Sequence, residues 1–275
     1  MIVFPNCKIN LGLHIVRKRE DGYHELETIF YPVPLKDSLE LIIDTDSSKK
    51  GIEFTQSGIE VKGEQNDNLC VKAYNILAAD FPNIPAVKVH LHKAIPMGAG
   101  LGGGSADAAF MLKLLNEKCN LSITDEKLMQ YALKLGSDCP FFIYNKPCIA
   151  KGRGEKLSPI ALDLKGYQLV IINPGIHVST ASAFSGITPK DPINTLEKIA
   201  NSSIQDWKGV LVNDFENSIF SAYPEIEKIK NMLYEKGATY SSMSGSGSSV
   251  YAIFPSNADI NLDFPDNYYV KILAL

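Results

Sequence analysis

The chain has 275 residues, 45% of them hydrophobic and 21% charged, with a formal net charge of -4 at pH 7. That suits one large or two modest globular domains with a real core, and the acidic balance argues against a nucleic-acid-binding surface. No apolar run approaches the ~20 residues of a membrane span, the N-terminus lacks a signal-peptide layout, and the five cysteines, odd in number and without a C-x-x-C pair, suit reduced thiols; a cytoplasmic protein with neither a nucleic-acid nor a membrane partner is expected.

In chain order, strand-like runs fall at 7–16, 27–33 and 38–43, and a helix is expected over 68–79, capped by Asn66 or Asp67. Val87, Val89 and Leu91 alternate with Lys88, His90 and His92, the period of a half-buried strand. A glycine-rich run, 96–107, leads into a helix from Ser105, and a second helix from about Thr124 is expected to stop at Gly136 as a left-handed cap. Phe141 to Tyr144 reads as strand, and Lys151 to Lys156 as an exposed connection at a domain boundary. Beyond it, strands are predicted at 167–172, 249–254 and 268–274, with helices near 193–200, 206–221 and 224–236. Strand and helix without strict alternation predict an α+β fold.

The run Pro96-Met-Gly-Ala-Gly-Leu-Gly-Gly-Gly-Ser-Ala-Asp107 carries five glycines in twelve positions. Between a strand and a helix, so little side chain lets backbone N–H groups converge, and the helix N-terminus adds a positive dipole end. This is an anion site, most often for phosphate. It is not a Walker A loop, because Gly103 is followed by Gly104 and Ser105 with no lysine. The later motifs of a protein kinase are absent in order. Gly98, Gly100 and Gly103 fit G-x-G-x-x-G, but a second helix pattern follows from Asn120 where a dinucleotide fold needs a strand with an acidic end.

Three further segments stand out. Lys8 and Asn10 share one face of the first strand, where a lysine is either plain surface or a point charge for phosphate. Asp138 lies in Leu135-Gly-Ser-Asp-Cys-Pro140, as a turn residue or a catalytic carboxylate. Ser241 to Ser249 is a small-residue loop, either a flexible turn or a second close backbone approach to a ligand. His90 and His92 read as exposed side chains rather than metal ligands, and Trp207 as core.

A lysine segment, a phosphate-type Gly loop and a C-terminal Ser/Gly loop, in that order, resemble the three motifs of the GHMP kinase superfamily. The resemblance implies two domains: 1–155, similar to ribosomal protein S5 domain 2, and 156–275, ferredoxin-like. It implies ATP bound along Pro96, Met97, Gly98, Ala99, Gly100, Leu101, Gly102, Gly103, Gly104, Ser105 and Ala106, with Ser244, Gly245, Ser246 and Gly247 as the second Gly loop. Arg19-Glu-Asp-Gly-Tyr-His-Glu-Leu26, with 5–13 and 135–140, resembles more narrowly the family of kinases acting on 4-diphosphocytidyl-2-C-methyl-D-erythritol. That similarity implies phosphoryl transfer from ATP to the substrate's 2-hydroxyl in non-mevalonate isoprenoid synthesis. It assigns Asp138 as general base, Lys8 as its electrostatic partner, Asn10 as a substrate contact, Tyr23 and His24 as readers of the cytosine, and Phe184 as the ring on its other face. Ala106 and Asp107 stand where this family usually carries a second serine or an asparagine.

Mg²⁺ is expected with ATP, since it takes few protein oxygens and shares the phosphates; Ser105 is a candidate ligand or a helix cap. Two alternatives compete. A sister kinase of homoserine, mevalonate or a sugar would leave the Asp-Gly-Tyr-His segment without a base to stack. A nucleotide sensor without turnover would need neither Lys8 nor Asp138.

Overall fold

The computed structural model describes every residue except 47, 62 and 192–194, and all but the side chain of 185 among the rest. The first half of the chain runs β1 (Ile2–Val3), β2 (Asn6–Lys18), β3 (His24–Lys36), β4 (Ser38–Ile43), β5 (Ile52–Gly58), α1 (Leu69–Asp80), β6 (Val87–Lys93), α2 (Gly103–Lys118), α3 (Asp125–Leu135) and α4 (Cys139–Tyr144). The second half runs β7 (Cys148–Gly152), β8 (Lys156–Pro159), β9 (Tyr167–Asn173), α5 (Thr180–Ser185), α6 (Leu196–Ala200), α7 (Glu216–Ala222), α8 (Pro224–Glu235), β10 (Tyr240–Met243), β11 (Val250–Pro255) and β12 (Tyr269–Ala274). The fold is α+β. Among the described residues no helix is long and apolar enough to cross a membrane.

The residues group into two compact units that interleave in sequence. One comprises Met1–Cys7, Leu35–Met97 and Gly102–Lys146. Its sheet has the order β1-β4-β6-β5, with β5 and β6 parallel and the other pairs antiparallel. The alternation read in β6 holds: Val87, Val89 and Leu91 are buried, as are Leu39 and Leu41 across the β4 register. On α2 both Ala108 and Ala109 are buried, with Met111, Leu112, Leu114 and Leu115, so more than one helix face meets apolar neighbours. Asn68, not Asn66 or Asp67, caps α1 by accepting from the Cys70 N–H at 2.9 Å.

The other unit comprises Lys8–Pro34, Gly98–Leu101 and Pro147–Leu275. It holds a sheet of order β2-β3-β7-β8 and an antiparallel sheet of order β10-β11-β9-β12. Ile226, Ile229 and Leu233, spaced along one face of α8, pack in a core with Val170, Ile172, Val250 and Ala252. Trp207 is buried, its indole N–H donating to the Ile199 carbonyl at 3.0 Å.

Several elements differ from the sequence reading. Phe141 to Tyr144 is helical: Pro140 sits in the first turn of α4, where its missing N–H costs nothing, and Cys139 to Ile143 are all buried. An apolar run buried on every side carries no period by which strand and helix could be told apart. Gly136 has φ 172°, extended rather than left-handed. The expected helix over 206–221 is α7 alone; ahead of it Gly209 takes φ +77° and the Asn213 side chain accepts from the Phe215 N–H. The helix near 193–200 is observed as α6, and residues 193 and 194 fall outside the described residues. Lys151 and Lys156, read as an exposed connection, face each other across the β7–β8 hairpin. The strands β5 and β10 went unread because polar side chains fill them.

Candidate active site

Lys8 is buried on β2, and its ammonium donates to Asn10 Oδ1 at 2.5 Å and to the Gly100 carbonyl at 3.1 Å, 5.0 Å from the Phe30 ring centroid. Asn10 is held in turn: its side-chain amide donates to Thr28 Oγ1 at 3.0 Å and its backbone N–H to Ser244 Oγ at 3.2 Å. Ser244 Oγ also donates to the Gly100 carbonyl at 2.8 Å. The Ser/Gly loop thus presses backbone to backbone on Gly98–Leu101. A Cβ on Gly100, whose φ is +77°, would overlap the Ser244 carbonyl oxygen, and one on Gly245 would lie 3.3 Å from Gly100 Cα. Asn213 secures the loop from behind, donating to the Met243 and Gly245 carbonyls at 2.8 Å each. The close backbone approach expected of Ser244, Gly245, Ser246 and Gly247 is therefore an approach to the first Gly loop. The Asn10 side chain, expected as a substrate contact, bonds Lys8 and Thr28.

Gly102, at φ +70°, opens α2 with no capping side chain, so the N–H groups of the first turn, at Gly103, Gly104 and Ser105, form the positive end of the helix dipole without a side-chain cap. Pro96 and Met97 precede these in the same unit, with Ala106 closing the first turn through a bond from its N–H to the Gly102 carbonyl at 2.9 Å. Ser105 lies beside the Cys139 thiol, which burial pushes up to about 12. Asp138 is half-buried, at φ -83° and ψ -16°, and makes no capping bond to the α4 it precedes.

The same unit contains a cleft of about 340 Å³ lined by Phe54, Asn68, Leu69, Leu91, Met97 and Gly104 together with Lys93 and Asp107. Below it is a buried ion cluster. Lys93 Nζ donates to Asp37 Oδ2 and, at 2.7 Å, to Asp107 Oδ2.

In the other unit His24 and Phe184 come together, with Tyr23 preceding His24 in the same turn. Arg19 braces the turn: its guanidinium pairs with Asp21 at 3.0 Å and Glu25 at 3.1 Å, and its N–H donates to the Tyr23 carbonyl at 2.8 Å. The Tyr23 ring projects from it, 53% exposed, with the Arg153 guanidinium 4.5 Å from its centroid. His24 stacks on Phe184 with centroids 4.6 Å apart, and Phe184 meets Phe215 edge to face. Burial, with the Lys18 charge as a second cause, lowers the His24 pKa and keeps the imidazole neutral at pH 7.

Comparison with known proteins decides what these parts belong to. The family model of the GHMP kinases N terminal domain matches residues 68–146, and that of the GHMP kinases C terminal domain matches residues 191–263. A 4-diphosphocytidyl-2-C-methyl-D-erythritol kinase of Bacteroides fragilis is 56% identical over 265 residues, 96% of each chain. The chain belongs to the 4-diphosphocytidyl-2-C-methyl-D-erythritol kinase family of the GHMP kinases.

More distant members of the family include one from Cytophaga hutchinsonii, 46% identical over 92% of each chain. A crystal structure of a 4-(cytidine 5'-diphospho)-2C-methyl-D-erythritol kinase superposes over 100% of this chain and 99% of its own, with TM-score 0.77 and 28% identity. The mevalonate kinase of Methanococcus jannaschii, at 14% identity and TM-score 0.70 over 100% and 98% of the two chains, shares the fold. The protein is therefore a kinase, and ATP is its phosphoryl donor.

The Lys93–Asp37–Asp107 cluster, the cleft and Arg153 beside Tyr23 carry no local sequence signal. Asp107 was visible as a departure from the family pattern; nothing in the sequence tied it to Lys93 or Asp37.

Proposed function

We propose that this kinase transfers the γ-phosphoryl group of ATP to the 2-hydroxyl of 4-diphosphocytidyl-2-C-methyl-D-erythritol, in the cytoplasm, as a step of non-mevalonate isoprenoid synthesis. The observation that carries the reading is the Lys8 ammonium, fixed by Asn10 and by the Gly100 carbonyl within the Gly loop. A cation fixed in this way suits the neutralisation of a transferring phosphoryl group, which supports the reading. The relatives that match along the whole chain supply the substrate's name.

The Gly loop and the head of α2, Pro96 to Ala106, bind the phosphates through backbone N–H groups. With Met97 and Gly104 shared between loop and cleft, the nucleoside of ATP extends into that cleft, over Phe54, Leu69 and Leu91. Asp138 accepts the proton of the attacking hydroxyl as general base, and Lys8, in the role of its electrostatic partner, offsets the charge that develops on the transferring group. Among the described residues no group of three His, Cys, Asp or Glu side chains could hold a metal ion, so the ligands of Mg²⁺ come mainly from the phosphates, with the Ser105 hydroxyl at the head of α2 as a protein oxygen that fits it. When bound, the ion neutralises phosphate charge. Tyr23 and Phe184 supply the aromatic faces for cytosine, and neutral His24 a hydrogen-bonding edge. The 1–155 segment in this reading carries the ATP loop and the base, and 156–275 the second loop and Phe184.

Asp138→Asn tests the mechanism. General-base removal typically costs about 10²–10⁴ in rate, so turnover should fall by that factor while ATP affinity stays within a few-fold. Retention of more than a tenth of wild-type turnover at saturating substrate would remove Asp138 from the role.

A further inference from the structure

Arg153 stands beside the aromatic surface assigned to cytosine, and the reaction above gives it no part. It lies at the tip of the β7–β8 hairpin. The β3–β7 ladder ends with Leu26 opposite Gly152, so the next residue along falls beside the start of β3 and the turn that carries Tyr23. The tip is tightly closed. Gly152 and Gly154 take φ +76° and +114°, and the Glu155 carboxylate folds back to accept from the Arg153 N–H at 2.6 Å. A Cβ on Gly152 would crowd that carboxylate.

The neighbouring cations are already matched by acids. Arg19 pairs with Asp21 and Glu25, Arg17 reaches Glu25 at 3.8 Å, and Lys151 pairs with Glu27 at 2.9 Å. Arg153 differs. Among the described residues no carboxylate pairs with its guanidinium and no acceptor takes its side-chain N–H groups. The Asp21 carboxylate is held below its ordinary range chiefly by the hydrogen bond from Arg19, with the Arg153 charge the weakest contributor. Arg153 is half-buried, and what holds its guanidinium is the Tyr23 ring, 4.5 Å from centroid to Cζ. Stacking uses the flat face of a guanidinium and leaves the donors along its edge unengaged. The cation is therefore positioned with its hydrogen-bonding fork still open.

We infer that Arg153 is a specificity residue for the acceptor: its guanidinium takes the diphosphate of the cytidylated substrate, so the enzyme reads a cytidine 5'-diphosphate ester and not cytosine alone. The inference rests on the assignment of cytosine to Tyr23, His24 and Phe184. The guanidinium covers one face of the Tyr23 ring and leaves the other for the base. A base stacked there carries its ribose, and then its diphosphate, past the edge of the ring. An open, planar fork at that edge matches phosphate oxygens in charge and in shape. A lysine would supply the charge without the paired donors or the flat stacking face.

The test is calorimetry of the full-length protein, saturated with a non-hydrolysable ATP analogue so that the Gly loop is occupied, titrated with cytidine, cytidine monophosphate and cytidine diphosphate. A hydrogen bond to a charged group at such a site is worth on the order of tenfold in affinity. Arg153→Gln should weaken cytidine diphosphate by about that factor and leave cytidine within about twofold, with affinity for the ATP analogue unchanged. Arg153→Lys should fall between wild type and Arg153→Gln. Added salt should weaken cytidine diphosphate more steeply in wild type than in Arg153→Gln. Equal losses for cytidine and cytidine diphosphate would make Arg153 a brace for Tyr23 and overturn the inference, as would no loss for either. Tyr23→Ala binding cytidine as tightly as wild type would instead overturn the placement of cytosine itself.

Discussion

The rings of His24 and Phe184 lie 4.6 Å apart and 15° from parallel, the histidine from the start of β3 and the phenylalanine from α5. The two positions are 160 apart in sequence, and the contact joins the Arg19–Leu26 segment, which resembles the 4-diphosphocytidyl-2-C-methyl-D-erythritol kinases, to α5. A flat, half-buried ring pair beside an exposed tyrosine is a surface on which a base can stack.

Base stacking on an aromatic side chain is worth about 1–3 kcal/mol, or roughly 5- to 150-fold in affinity at about 1.4 kcal/mol per decade. Tyr23→Ala and Phe184→Ala should therefore each raise KM for the cytidylated substrate within that range. KM for ATP should barely move. Steady-state kinetics on the two substrates separates the cases: a loss confined to ATP would put these rings in the nucleotide cleft.

The Gly loop gives a graded prediction. Gly100→Ala pushes a methyl into the Ser244 carbonyl, backbone against backbone, and should cost about 1–3 kcal/mol or more in stability, with a raised KM for ATP. Gly104→Ala meets the flexible Met97 methyl at 3.3 Å and otherwise only ordinary contacts with Met97 and Leu69, and should fold normally. Gly166→Ala, at φ +86° with nothing near its Cβ, isolates the left-handed strain, about 1 kcal/mol. Thermal unfolding of the three variants with ATP titrations checks the order.

Folded Asp107 holds its proton up to about pH 7, whereas an unfolded aspartate releases it near 3.8. Between these values the folded state binds more protons, so stability falls as pH rises through the window and levels off above it. Asp107→Asn should lack this component. Denaturant unfolding at about pH 5 and about pH 8 should show wild type losing stability relative to the variant at the higher pH; an unchanged difference would mean that Asp107 ionises normally in the fold.

The Gly loop, the β6 alternation and the helices α1, α3 and α8 were legible because each repeats a period or ends in a turn residue over enough length to read. Lys8 was legible as a candidate but not as a fixed cation, since Gly100, which accepts from its ammonium, lies 92 positions away, and Ser244, which holds Asn10 and Gly100 in place, comes from a third segment. α4 was misread because burial on all sides erases the period, and β10 because Ser241 and Ser242 satisfy their hydroxyls inside the fold, Ser242 on Glu216 at 2.9 Å. The Asp37–Lys93 and Lys93–Asp107 contacts span 56 and 14 positions. No local pattern encodes such pairings.

The central claim is the acceptor. ADP release measured with ATP and magnesium, in parallel on 4-diphosphocytidyl-2-C-methyl-D-erythritol, mevalonate, homoserine and galactose, tests it most directly. The account predicts sustained turnover with the cytidylated substrate and none above background with the other three. Equal or faster turnover with any of those three, or ADP release that ignores the cytidylated substrate, would contradict it.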